Sequence, residues 1–255
     1  MIVFVAGMSR SGSMWTYNIV RAIYETTDFS VLPKAMPADE RALIRDALSS
    51  AVKNNEVHCI KTHFLFRRPI PTSHEVKFIC NIRDVRDACI SFMRFTHSNF
   101  ERGVSAMTSM MNSTDYYLSE FGNSVLGVRF EDVTNNPLIV VNSICSFLKI
   151  ELSDSDKNEI ISRFSKTKIK KKLHDMSKIR LDANGQIEGD EQQSKFEAIK
   201  NLDGTYRIYD KTTAFQSNHI TSTGDGEWRT VFDKDQIEKV NSISKEWLLR
   251  HGYTI

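Results

Sequence analysis

Three short segments of this 255-residue chain gather residue types that hold anions and move protons. The first is Gly7-Met8-Ser9-Arg10-Ser11-Gly12-Ser13-Met14-Trp15, between a continuous apolar run, Ile2 to Ala6, and a stretch, Trp15 to Tyr24, that reads as a helix. A tight loop between a buried strand and a helix aims several backbone N–H groups at one point, where the helix dipole adds positive potential. That suits a phosphate. Gly7 and Gly12 have the spacing of the outer glycines in a GxxxxGK[ST] phosphate loop, yet Ser13 stands at the lysine position and Met14 at the magnesium-binding hydroxyl. A thioether is a poor Mg²⁺ ligand, so a metal-dependent phosphotransferase is disfavoured. The positive charge sits at Arg10 instead. Taken alone, the segment could equally be a turn that joins strand to helix.

The second segment is Arg83, followed eight residues later by Ser91. Arg83 falls at the C-terminal end of an apolar run, Val76 to Ile82, the edge at which open α/β sheets bind ligands. Ser91 lies about two turns into the following helix. A guanidinium and a hydroxyl there can hold a second phosphate; the alternatives are an ion pair of Arg83 with Asp84 or Asp87, and a solvated charge for Arg86. The third segment, Lys61-Thr62-His63, ends the run Val57 to Ile60. A histidine near neutral pKa can take a proton from an acceptor hydroxyl, and a nearby lysine can neutralise charge on a transferring group. Most lone histidines are not catalytic, and His58, His74, His97, His174, His219 and His251 are read as such.

The elements that must position these groups alternate. Strands are expected at Ile2 to Ala6, Val57 to Ile60, Val76 to Ile82 and Val125 to Phe130. Helices are expected at Trp15 to Tyr24, Pro37 to Lys53, Asp84 to Phe95, Leu138 to Leu148 and Lys234 to Arg250. Alternation of this kind implies one α/β domain, residues 1–255, with a mostly parallel sheet flanked by helices. Ser165 to Asn218 opens with Lys166, Lys168, Lys170, Lys171 and Lys172 and turns polar, which predicts a long, partly mobile surface excursion.

Bulk properties exclude several classes. A net charge of +2 is too mild for a nucleic-acid protein, and no apolar stretch approaches the 18 residues of a membrane span. No signal peptide is recognised, and Cys59, Cys80, Cys89 and Cys145 show neither CxxC nor metal-ligand spacing. A cytoplasmic location with four buried thiols is the expectation.

Together the segments resemble the cytosolic 3′-phosphoadenosine-5′-phosphosulfate (PAPS)-dependent sulfotransferases. Arg10-Ser11-Gly12-Ser13-Met14-Trp15 is similar to that family's Lys-Ser-Gly-Thr-Thr-Trp, Lys61-Thr62-His63 to its Lys-x-His, and Arg83 and Ser91 to its arginine and serine. Arg129-Phe130-Glu131-Asp132 with Asn136-Pro137 resembles its Tyr-Glu-Asp stretch, and Gly226-Glu227-Trp228-Arg229 its Gly-Asp-Trp-Lys. The resemblance implies that His63 is the general base and that Arg10 and Lys61 stabilise the transferring group. It implies that Ser11, Gly12, Ser13 and Met14 lie at the 5′-phosphate and Trp15 near the adenine, and that Arg83 and Ser91 hold the 3′-phosphate, with no metal. Thr221, Ser222 and Thr223 replace the family's Arg-Lys-Gly, so their hydroxyls and amides are expected to bind the 3′-phosphate. A phosphotransferase on the same scaffold and a non-catalytic nucleotide-binding protein are the other classes. The acceptor is expected to be a small molecule, held by residues 27 to 37, 64 to 75, 97 to 115 and 165 to 220, with Phe64, Phe66, Phe92, Phe95 and Phe100 as candidate apolar lining; the oligomeric state is not readable.

Overall fold

The computed structural model describes residues 1–35, 40–49, 53, 55–63, 75–201, 203–220 and 224–255. The expectations on Pro37, Phe64, Phe66, His74 and Thr221 to Thr223 lie outside the described residues.

Strand β1 (Ile2–Gly7) is buried along its whole length, as its unbroken apolar sequence requires. Helix α1 (Ser13–Glu25) follows the glycine loop, and a short β2 (Ser30–Leu32) and helix α2 (Glu40–Ser49) lead to β3 (Glu56–Lys61). Then come β4 (Val76–Ile82), α3 (Val85–Thr96), α4 (Phe100–Glu120), β5 (Val125–Arg129), α5 (Phe130–Asn135), α6 (Pro137–Leu148) and α7 (Asp154–Arg163). Helices α8 (Lys166–Met176) and α9 (Asp190–Lys195), strands β6 (Phe196–Lys200) and β7 (Tyr206–Asp210), α10 (Trp228–Val231) and α11 (Lys234–Arg250) complete the chain.

The main sheet has the order β2-β3-β1-β4-β5, with every pair parallel. Its central register, Val5 opposite Lys61 and Gly7 opposite Asn81, brings the ends of β1, β3 and β4 to one edge. The period-two pleat splits β1 between two cores. Val3 and Val5 meet Tyr17, Val20 and Ile23 of α1 with Ile144 and Leu148 of α6, whereas Ile2, Phe4 and Ala6 meet Ile44 of α2 and Tyr117 of α4. A third cluster joins Met8 to α3, α4, Trp228 and α11.

Three expectations are corrected. The segment from 165 to 218 is no loose excursion. It folds as α8, α9 and an antiparallel β6-β7 pair, and Ile169, Leu173, Met176, Ile208 and Phe215 join the same core as α1. The region 97 to 115, expected as a variable loop, falls mostly within α4. The expected loop at 27 to 37 contains β2, which pairs with β3. All four cysteines are buried and unpaired, and no described helix is long and apolar enough to cross a membrane.

Candidate active site

The glycine loop is fixed from below by β4. Gly7 has φ +93°, and a Cβ there would stand 2.6 Å from the Asn81 carbonyl oxygen, so only glycine fits. The Met8 N–H donates to that carbonyl at 3.1 Å, while Asn81 Nδ2 donates to Thr16 Oγ1 at 2.9 Å and ties β4 to α1. The Ser11 hydroxyl donates to the Met8 carbonyl, so it braces the loop. Arg10 and Gly12 both take left-handed backbone conformations, with φ 65° and 82°. Gly12 caps α1 without a side-chain hydrogen bond, which leaves the first-turn N–H groups of Ser13, Met14 and Trp15 to other acceptors.

Above this loop lies a cavity of about 530 Å³, within the range of small-molecule sites. Arg10, Gly12, Met14, Trp15, Arg83 and Ser91 line it, so most of the residues foreseen from sequence share one wall. Arg10 Nε donates to Ser91 Oγ at 3.0 Å and a terminal nitrogen donates to the His219 carbonyl. Its guanidinium carbon lies 4.4 Å from the Phe95 ring centroid. Arg83 donates to the Arg10 carbonyl at 2.9 Å and stacks at 4.0 Å on Phe130. Burial and the neighbouring Arg83 charge bring the Arg10 pKa down to about 9. Burial lowers that of Arg83 too, although Asp87, Asp225, Glu131 and Asp84 oppose it. Two cations crowded at one wall in this way favour a bound anion.

The alternative partners of Arg83 are otherwise engaged. Asp84 pairs with Arg86 at 2.7 Å, and Arg86 is buried over Trp228 rather than solvated, which corrects the sequence reading. Asp87 accepts from the N–H groups of Gly226 at 2.6 Å and Trp228 at 3.0 Å. The glycine-tryptophan motif is thereby clasped to the helix that carries Ser91, and Gly224 and Asp225 enter the cavity wall.

His63 follows β3 across the loop. Its Nδ1 lies 3.1 Å from the Gly7 carbonyl oxygen, an acceptor, so this nitrogen carries the proton and Nε2 keeps its lone pair. Burial, then the charge of Lys61, pulls the His63 pKa down to about 3, so the free imidazole is neutral. Burial also lowers that of Lys61. His219, read from sequence as an ordinary histidine, belongs here. It lines the cavity, and its pKa falls well below 6.5 through burial and the charges of Arg10, Lys61 and His63. Its ring meets Phe95 and Phe215 edge-on at 5.9 and 5.8 Å. No motif marked it, because its neighbours come from elements 120 or more residues earlier.

Of the lysine run, Lys166 lines the cavity while Lys172 is tied to Asp210 at 2.5 Å. Among the described residues no cluster of three or more His, Cys, Asp or Glu could hold a metal.

Known proteins fit this geometry. No curated protein matches the chain by sequence. Among solved structures, retinol dehydratase in complex with androsterone and the inactive cofactor PAP is similar at 18% identity with a TM-score of 0.63, over 100% of this chain and 82% of that one. Mouse sulfotransferase SULT7A1, complexed with PAP, is similar at 14% identity with a TM-score of 0.64, over 97% of this chain and 84% of that one. These likenesses establish the fold. The family model of the sulfotransferase domain matches residues 2–252, and the chain belongs to that family.

Proposed function

We propose that this chain moves a sulfuryl group from PAPS to a hydroxyl or amine of a small-molecule acceptor, with His63 as general base. One observation carries the reading. The hydrogen bond from His63 Nδ1 to the Gly7 carbonyl sets a neutral base with a free Nε2 beside the anion-binding loop. The wall also suits the nucleotide: Arg10 and Arg83 supply charge, Trp15 and Phe130 supply aromatic faces, and the volume is adequate. PAPS, when bound, supplies the sulfuryl group and departs as 3′-phosphoadenosine 5′-phosphate (PAP).

The acceptor gives its proton to Nε2 of His63 as its oxygen or nitrogen bonds to sulfur and the sulfur-to-phosphate oxygen bond breaks. Arg10 and Lys61 stabilise the charge that builds up, and a site partly closed to water strengthens both effects. The loop amides after Gly12 hold the 5′-phosphate. Arg83 and Ser91 hold the 3′-phosphate, Lys166 adds a third cation on the same wall, and Thr221, Ser222 and Thr223 supply hydroxyls. Solved relatives hold androsterone or retinol, which supports a small organic acceptor. Four free buried thiols suit the reducing cytoplasm.

The test is transfer of radiolabelled sulfate from PAPS to a panel of phenols, alcohols and amines, with calorimetric titration of PAP alongside. Failure of PAP to bind at micromolar concentration would overturn the reading.

A further inference from the structure

Strand β7 carries a charged side chain that the proposed reaction does not use. The guanidinium carbon of Arg207 lies 5.6 Å from the centroid of Phe95, the same ring on which Arg10 sits at 4.4 Å. The two guanidinium carbons are therefore no more than about 10 Å apart, the sum of their distances to the shared centroid. Arg10 and His219 belong to the nucleotide cavity and Arg207 does not border it. Its charge lies beyond the Arg10 end of that cavity.

Most arginines of the fold have an acid. Arg86 pairs with Asp84, Arg129 with Glu131, Arg163 with Glu25 and Arg250 with Asp115. Arg207 donates to the neutral amide oxygen of Asn201, and its Nε is buried without a hydrogen-bond partner among the described residues. Burial lowers its pKa, and no described carboxylate counters that effect. Of the residues outside the description, only Asp39 bears a carboxylate. A half-buried cation with a spare donor carries a desolvation cost that an anionic ligand would remove.

We propose that Arg207 recognises the acceptor, and that the acceptor carries an anionic oxygen group, a carboxylate, sulfate or phosphate, at some distance from the atom that is sulfated. The proposal rests on the sulfotransferase reading. The acceptor's reactive atom meets His63 and Arg10, its body lies along Phe95, and its anionic end reaches the Arg207 fork, a geometry suited to paired oxygens. A neutral analogue leaves that fork unpaired, which is how such a site rejects it.

The test uses matched acids and esters, 4-hydroxybenzoate with its methyl ester and 4-hydroxyphenylacetate with its methyl ester, together with sodium sulfate as the smallest anion. Each is titrated by calorimetry into the protein saturated with PAP. The expected result is acid binding at least about tenfold tighter than ester binding, with the preference lost in Arg207→Gln and partly kept in Arg207→Lys. The PAP dissociation constant stays unchanged in both variants. Equal or absent binding of acids and esters to the wild type overturns the proposal, as does a preference that survives Arg207→Gln. Loss of PAP binding by the wild type would refute the nucleotide reading instead, and the acid preference is then scored on the free protein by the same criteria.

Discussion

Arg83→Ala separates the two ends of the proposed nucleotide grip. In the structure Arg83 donates at 2.9 Å to the carbonyl of Arg10, inside the loop assigned to the 5′-phosphate, and stacks on Phe130. Removing it deletes one neutral-acceptor hydrogen bond that steadies the loop, worth about 1 kcal/mol net, and one charge-assisted contact to the 3′-phosphate, worth about 1.5–3 kcal/mol. PAP therefore loses about 2.5–4 kcal/mol of binding. Adenosine 5′-phosphosulfate, which has no 3′-phosphate, loses only about 1 kcal/mol, because it feels the loop and not the lost cation. The discriminating quantity is the ratio of the two dissociation constants, which shifts by about 10- to 150-fold. Calorimetric titration of both nucleotides into wild type, Arg83→Ala and Arg83→Lys measures it, with Arg83→Lys recovering part of the loss. Equal losses for the two nucleotides would refute the placement of the 3′-phosphate at Arg83.

His63→Ala should lower turnover by about 10²- to 10⁴-fold while the PAP dissociation constant changes by less than about twofold, since the imidazole acts on the acceptor; near wild-type turnover removes it as the base. The folded His63 resists protonation down to about pH 3, and His219 also titrates well below 6.5, whereas the unfolded chain protonates both near pH 6.5. Stability should thus be full above pH 6.5 and fall as pH drops toward 3, by at most about 1.4 kcal/mol per pH unit for each group. Urea unfolding at pH 7 and pH 5 should give a smaller difference for His63→Asn than for wild type, and identical differences would contradict the assigned shift. Lys166→Ala should weaken PAP several-fold with little loss of stability. Lys172→Ala should instead destabilise the fold by roughly 1–3 kcal/mol, because it strips the cation from the largely buried Asp210; reversed effects would mean that the two lysines have exchanged roles.

The site was legible where chemistry is local in sequence. Gly7 to Trp15 reveals itself because a turn between strand and helix needs glycine at left-handed positions, and Arg83 and Ser91 because strand end and helix are consecutive. Lys61-Thr62-His63 likewise follows a short apolar run. Helix α4 was missed although Val104, Met107, Met111 and Tyr117 repeat on one face, because serine, threonine and methionine between them blunt the contrast. The β6-β7 pair was hidden by polarity: only Ile208, Tyr209 and Asp210 of its ten residues are buried. His219 and Arg207 acquire their meaning from Phe95, more than 110 residues away, and no spacing rule reaches that far.

The clasp of Asp87 on Gly226 and Trp228 spans 139 and 141 residues of chain. Arg83, Asp87 and Ser91 are made early during synthesis, together with the phosphate loop, but the amides that Asp87 holds emerge near the end. Loop closure over such a length is slow and comes late, so the cavity wall is completed last. A nucleotide that bridges the early loop and the late clasp has no full site on a nascent chain. Once the clasp is shut, its binding energy opposes every opening that separates the two ends of the chain, and it stabilises the domain as one cooperative unit rather than either half alone.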